Sequence, residues 1–292
     1  MVIGLGPKEP AFEGRLFSNW IWTMNESPEG PKKEEARAVV RELGHKHLSL
    51  LLRWLREEDH PSVVGRFDDV RHRVFFWLVR HKLLKNQSIT SLQDFNPSHQ
   101  GMAMWALPEL EAADQRIAIP VLILMLGEKK PNQNEMTESA GAAWCVLSEM
   151  NPEAIQPLIN DLTNQDIQTW TLASCALAKM GPSAKVAIPI FEKRLNDSDS
   201  NVRVTAAYCM GKLGGDPATF VPMVIQDLNR SDVGSLDCRL DILISYKEYA
   251  TNALPVLAEM LNKSGSSTNV NDIVVRNSIT NAIKKIRGDA GY

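Results

Sequence analysis

Apolar residues recur at a fixed spacing along the second half of the chain. Four segments each end in a leucine, and these leucines lie 33 residues apart, at Leu162, Leu195, Leu228 and Leu261. A proline stands just upstream of each, at Pro157, Pro189, Pro222 and Pro255. Near a helix start a proline costs little, because first-turn N–H groups have no intrahelical acceptor. With apolar residues following at helical spacing, the pattern predicts the first helix of a repeated pair, and IAIPVLILML at residues 117–126 is an earlier copy.

A short polar turn and a second helix follow these segments. Asp166 and Asp199 close two of the turns, where an aspartate can accept hydrogen bonds from the first free N–H groups of a helix. The second helices, TWTLASCALAKMG and NVRVTAAYCMGKLGG, carry small residues where helices approach closely, and Gly181 and Gly214 are typical of helix ends. Each unit is therefore a helical hairpin with one face that it cannot bury alone, which predicts a solenoid.

These residues resemble the HEAT-repeat family and its short bacterial variants, in which a second helix of the form V-R-x-x-A-A-x-A-L-G follows a polar turn. The best match is DSNVRVTAAYCMGKLG, from Asp199 to Gly214, and the resemblance extends from about Ile117 to the C-terminus. It implies an all-α fold, a right-handed α–α superhelix of about six to seven helix pairs. Two departures are Trp170, which stands where the family has an arginine, and the extra residues VGSLDC before Arg239.

The sequence predicts three regions. Residues 117–292 form the repeats, and residues 32–116 form atypical helices that cap the solenoid, because terminal units are usually atypical. Residues 1–31 form an extended leader that packs on the first helices. Within it, Gly14, Arg15, Ser18 and Trp20 resemble the leader of some bacterial HEAT-like proteins, and burial of an aromatic clasp is the simplest role for them.

Composition and charge narrow the function classes. The 292 residues are 44% hydrophobic and 23% charged with a net charge of −3, which is ordinary for a folded soluble protein and gives no global attraction to polyanions. The N-terminal apolar run of six residues is far shorter than the ~20 that span a bilayer. We expect no membrane span, and the sequence leaves the localisation open: a cytoplasmic site is slightly favoured, and an exported or anchored form is an alternative.

No known catalytic or phosphate-binding motif is present, so we expect no catalytic residue, no cofactor and no enzyme activity. The four cysteines form no CxxC pair, and the six histidines lack ligands at metal spacing, so we expect structural thiols and no metal site. Di-iron hydroxylases on HEAT repeats use His-Glu pairs, which this chain lacks. The HEAT-like lyases that attach bilins have similar repeats and remain an alternative.

Nucleic-acid binding is the main alternative, because HEAT-like DNA glycosylases resemble this architecture. Residues 32–85 contain 13 Lys and Arg against 8 Asp and Glu, whereas residues 86–292 contain 17 against 23. The basic residues alternate with acidic ones, however, and this pattern is more typical of solvated helix faces with i,i+4 pairs than of a phosphate-binding groove. Nucleic acid is therefore not the favoured partner.

The favoured function is a non-catalytic scaffold that binds a protein or peptide on the concave face of the solenoid, with the chain a monomer. Aromatic residues and arginine dominate interface energies, and we expect Trp170 to face solvent there. The arginines also match a family position that ties adjacent repeats together, which is the competing interpretation. The candidate partner-binding residues are Trp170, Arg203, Tyr208, Lys212, Arg239 and Arg276.

Overall fold

The computed structural model describes residues 9–56, 99–129, 137–163, 166–228, 236–263 and 270–288. These residues are almost entirely helical, which confirms the prediction of an all-α helical repeat fold. The chain divides into two compact units, Met1–Met150 and Asn151–Tyr292. The predicted limits 1–31, 32–116 and 117–292, and the right-handed superhelix, stay predictions.

The first unit begins with a small antiparallel hairpin and contains helices that pack in pairs. In the hairpin, β1 (Ala11–Phe12) pairs with β2 (Arg15–Leu16). The described helices are α1 (Phe17–Glu26), α2 (Pro31–Lys46), α3 (Leu48–Arg56), α4 (His99–Ala106), α5 (Ala112–Leu126) and α6 (Glu138–Glu149), with a 3-10 turn at Leu107–Glu109. α1 packs on α2, α3 on α4 and α5 on α6, and α4 also contacts both α1 and α6.

The β1–β2 hairpin packs on α1 around the ring of Trp20. The indole N–H of Trp20 donates to the carbonyl of Phe12 over 3.2 Å, and the Arg15 guanidinium lies 4.1 Å from the Trp20 ring centroid. Arg15 also donates to the hydroxyl of Thr23 over 2.8 Å. Because Trp20 is buried in this arrangement, it fastens the β1–β2 hairpin to α1.

The second unit contains four helix pairs among its described residues. The first helices are α7 (Ile155–Asp161), α9 (Ile188–Arg194), α11 (Pro217–Asp227) and α13 (Leu254–Lys263). The second helices are α8 (Ile167–Met180), α10 (Ser200–Leu213), α12 (Leu236–Ser245) and α14 (Val270–Arg287). Two 3-10 segments, Gly181–Ala187 and Thr251–Ala253, lead into first helices. The second helices form a row in which α10 contacts α8 and α12, and α12 contacts α14.

The ends of the second helices follow the sequence signals. The Asp166 carboxylate accepts from the Thr169 N–H over 2.9 Å, and the Asp199 carboxylate accepts from the Asn201 N–H over 2.8 Å, so both aspartates cap second helices. Gly214 has a φ of +84°, a left-handed conformation that ends α10 and that glycine adopts without a steric cost. These local signals confirm the predicted turns.

The expectation that each proline lies near a helix start is wrong for Pro120 and Pro222. They lie inside α5 and α11 because these helices begin earlier, at Ala112 and Pro217.

Close packing of the second helices depends on one glycine in α10. A Cβ on Gly211 would lie 2.6 Å from the hydroxyl oxygen of Tyr246 and 3.0 Å from its ring. No carbon atom fits at that distance, so glycine lets the Tyr246 ring lie directly against the backbone of α10.

We predict that Gly211→Ala destabilises the protein. In an open helix the change would stabilise by about 0.5–1 kcal/mol, whereas forcing the Tyr246 ring aside costs about 1–3 kcal/mol. The larger cost makes the net effect destabilising, by up to about 2 kcal/mol. Urea unfolding of both variants measures the difference. Adding Tyr246→Phe removes the closest atom and should recover part of the loss. An increase in stability on Gly211→Ala alone would contradict this packing argument.

Candidate functional site

The outward side of the second helices is the candidate interaction surface. On α10 the exposed and half-buried positions Asn201, Thr205, Tyr208 and Lys212 follow helical spacing, while the remaining apolar residues of the helix are buried. Tyr208 is 41% exposed, and the Lys212 ammonium lies 5.4 Å from its ring centroid. This pair offers an aromatic face, a hydroxyl group and a cation within one helical turn.

The surroundings of the Tyr208 hydroxyl disfavour its ionisation. Partial burial, followed by the nearby Cys175, Cys209 and Cys238 thiols and the Asp241 carboxylate, raises the pKa of Tyr208 above its usual value. Each of these influences disfavours a phenolate. At neutral pH the hydroxyl is protonated, as in any tyrosine, and can both donate and accept a hydrogen bond.

The thiols beside Tyr208 act as packing groups. Burial, and secondarily the neighbouring Cys238, raises the pKa of Cys175 to about 11. Burial raises the pKa of Cys209 well above its ordinary value, and its thiol donates to the Ser174 carbonyl over 3.4 Å. Since the thiolate is the reactive form, neither group is suited to nucleophilic chemistry at neutral pH. Within the described ranges, no three His, Cys, Asp or Glu side chains are grouped closely enough to hold a metal ion.

Trp170, in contrast, does not lie on this surface. It is only 2% exposed, so the expectation that it faces solvent is wrong and it cannot contact a partner. Its ring packs edge to face on Phe191, with centroids 6.3 Å apart, and the Arg194 guanidinium lies 5.8 Å from its centroid. The indole occupies an interior position between two repeats.

Arg203 and Arg239 are also interior residues, only 4% and 1% exposed. The Arg203 guanidinium donates from Nε and Nη2 to the two carboxylate oxygens of Asp227, over 2.7 and 3.1 Å. Its Nη1 donates to the carbonyls of Asp197 and Ser198, over 2.6 and 3.0 Å. Arg203 thus ties α10 to α11 and to the preceding turn, as the competing interpretation of the arginines supposes.

The Trp170 site is the equivalent interior position one repeat earlier, and both of its residues differ from the Arg203–Asp227 pair. Trp170 precedes Arg203 by one repeat of 33 residues, and Arg194 likewise precedes Asp227 by 33. An arginine and its carboxylate are therefore replaced together by a tryptophan and an arginine. Arg194 finds another partner in Asp197, over 2.8 Å. An arginine at position 194, where the neighbouring repeats have Asp161 and Asp227, was the sequence signal for this exchange.

We predict that Trp170→Arg and Arg194→Asp are each destabilising and compensate each other. Trp170→Arg places a second guanidinium group in a buried position beside Arg194 and should cost about 3 kcal/mol or more. Arg194→Asp places a carboxylate beside an indole, and it should cost less because the Arg194 side chain is 37% exposed. The double variant can form the Arg203–Asp227 type of pair and should recover at least half of the summed loss. Thermal and urea unfolding of the original protein, the two single variants and the double variant give the four free energies of unfolding of a double-mutant cycle. If the two single losses add up to the loss of the double variant, the positions are independent and the prediction is wrong.

We also predict selective thiol alkylation. Cys238 is exposed, whereas Cys175 is half-buried, and with a pKa of about 11 only about one in a thousand of its thiols is ionised at pH 8. Iodoacetamide at pH 8 should label Cys238 first, with Cys175 and Cys209 modified only on unfolding. Peptide mass spectrometry at timed intervals measures the order. Labelling of Cys175 as fast as Cys238 would contradict this description of the surface.

Residues 32–85 are the basic segment of the chain, and the structure describes residues 32–56 of it. Most lysines and arginines in this described part lie in ion pairs with carboxylates. The Arg37 and Arg41 guanidinium groups both lie within 4 Å of the Glu109 carboxylate, at 3.6 and 3.7 Å. Other ion pairs join Lys33 to Glu29, Lys46 to Glu42 and Arg56 to Glu128. Residues 57–85 of the segment lie outside the described residues. The described part resembles a solvated helix face more than a groove of one charge sign.

Comparison with known proteins agrees with the repeat architecture. Residues 187–215, which include α9 and α10, match the family model of the HEAT repeat. No curated protein matches the chain. Among the described helices, none is long and apolar enough to cross a membrane.

Two crystal structures of engineered proteins are similar to the chain. The first is 20% identical and covers 68% of this chain and 94% of its own, with a TM-score of 0.34. The second is 16% identical and covers 94% of this chain and 79% of its own, with a TM-score of 0.36. At these TM-scores the likenesses carry no argument about arrangement or function.

Proposed function

Because the chain is a HEAT-like helical repeat protein, we propose that it is a non-catalytic scaffold that binds a protein or peptide partner on the outward side of α8, α10 and α12. The observation that carries this proposal is the exposed Tyr208 ring with the Lys212 ammonium beside it. Tyrosine contributes a large, rigid contact area with a polar end, and such residues dominate the energies of many interfaces.

The charges around Tyr208 specify the partner further. Lys179 and Lys212 are both exposed, in the last turns of α8 and α10, and they are one repeat of 33 residues apart. Asp237 and Asp241 are exposed on α12. An extended segment that crosses these helices would meet cations first and carboxylates afterwards. We therefore expect a partner segment with an acidic residue near one end, a basic residue near the other and an apolar residue over Tyr208.

Of the six candidate residues, the proposal keeps Tyr208 and Lys212 at its centre. Arg276 is half-buried on α14 and stays a candidate. Trp170, Arg203 and Arg239 are left out because a buried side chain offers a partner no accessible area. Nucleic acid is the competing partner, and the ion pairs of Arg37 and Arg41 weigh against it.

A photo-crosslinking experiment tests the proposal. A benzoylphenylalanine at position 208 and, as the matched control, one at Gln226 on the exposed side of α11, are irradiated in lysate of the source organism. We expect a discrete polypeptide attached at position 208 and absent at position 226. With that polypeptide purified, Tyr208→Ala should weaken binding about tenfold, which corresponds to about 1.4 kcal/mol, and Gln226→Ala should leave it unchanged.

Three outcomes would overturn the proposal. The same polypeptides could attach at both positions, or Tyr208→Ala could leave the affinity unchanged. The third is recovery of nucleic acid with an affinity that falls steeply as salt rises, which would assign the function to phosphate binding instead.

A further inference from the structure

A second surface, in the unit of residues 1–150, has a different chemistry. The described helices α1, α4 and α6 lie side by side there, and each has one buried side and one exposed or half-buried side. Three half-buried tryptophans lie on the latter sides, Trp22 on α1, Trp105 on α4 and Trp144 on α6. The Trp22 and Trp105 ring centroids are 6.1 Å apart. With the half-buried Met104, these residues form what we call the tryptophan surface.

The three helices carry carboxylates but neither lysine nor arginine, and their only histidine is the exposed His99 at the start of α4. Their sequences, FSNWIWTMNE, HQGMAMWA and ESAGAAWCVLSE, contain no lysine or arginine. Their carboxylates, Glu26, Glu138 and Glu149, are all exposed. The whole chain has 32 Lys and Arg, and α2 of the same unit alone has five, so the exclusion of basic residues is local to this row of helices.

We propose that the tryptophan surface binds a cationic peptide segment. Indole rings attract guanidinium and ammonium groups through their π faces, and the exposed carboxylates of the same helices attract the same charge. Met104 supplies a flexible apolar contact for side chains between the cations. These helices offer an anionic ligand such as nucleic acid no lysine or arginine to pair with.

This inference does not depend on the Tyr208 surface. That surface lies in the other unit, has exposed lysines on α8 and α10, and favours a partner with an acidic residue. Either surface can therefore fail its test without affecting the other.

The first test locates the binding of a defined probe by ¹⁹F NMR. The full chain is labelled with 5-fluorotryptophan, its seven tryptophan signals are assigned by single Trp→Phe variants, and a peptide of alternating Arg and Leu is added. We expect the signals of Trp22, Trp105 and Trp144 to move. The signals of the fully buried tryptophans should stay in place, namely Trp20, Trp54 and Trp170.

The second test measures affinity by fluorescence anisotropy with the same peptide carrying fluorescein. Trp105→Leu should weaken binding about twofold to fivefold, the value of one exposed cation–π contact. The double variant Glu26→Gln/Glu138→Gln should bind the peptide more weakly at low salt. At high salt the difference should be smaller, because salt screens the attraction between exposed charges. The control Glu192→Gln with Glu248→Gln removes the same charge from exposed positions of the other unit and should change nothing. Circular dichroism confirms that each variant is folded.

Several results would overturn the inference. A peptide of alternating Glu and Leu could bind equally well, or the control pair could weaken binding as much as the test pair. Movement of the Trp170 signal, or of Trp77 alone, in place of the three expected signals would place the peptide elsewhere. Unchanged affinity of a folded Trp105→Leu variant would also reject it.

Discussion

Each helical hairpin of this chain has an apolar face that its own two helices cannot bury, and burying it against the next hairpin is the constraint on which the structure depends. Ala173, Ala206 and Ala207 are fully buried where α8 and α10 meet, since only small side chains permit that approach. Gly211 extends the same rule to the next helix, because the Tyr246 ring fills the space that a Cβ would need. Stability in such an array is close to a sum of neighbour contacts, so a change at one junction should act mainly on the adjoining repeats.

At these junctions a buried residue of a second helix is matched to a particular residue of the neighbouring first helix. Arg203 is buried with Asp227, and one repeat earlier Trp170 is buried with Arg194 above its ring. Both pairs fill the junction and leave no uncompensated buried charge, although their chemistry differs. A buried ion pair contributes less net stability than its short distances imply, because desolvation opposes it, whereas removal of one partner is costly. What the junction preserves is therefore the pairing of two positions 24 residues apart, so the two residues change together and not singly.

Core packing constrains the buried side of each helix but not its outward side. The two units carry different residue types on their outward sides. On α8 and α10 the outward side carries lysines in the last helical turn, where a cation also offsets the helix dipole. On α1, α4 and α6 the outward side carries tryptophans and carboxylates without any lysine or arginine. The two surfaces therefore differ in charge: the first combines lysines with the carboxylates of α12, whereas the second has carboxylates without lysine or arginine. Such a difference would favour different partners.

The sequence by itself determined the helical hairpins, their 33-residue period and the caps at Asp166 and Asp199, because each of these depends on residues a few positions apart. Only the tertiary structure decided which outward-looking residues are exposed. Trp170 occupies a helical position that is open in isolation, and residues of the next repeat cover it. The tryptophan surface likewise requires α1 to lie against α4, more than 70 residues further along the chain. Periodicity specifies which side of a helix is apolar, whereas exposure depends on the neighbours that packing brings to it.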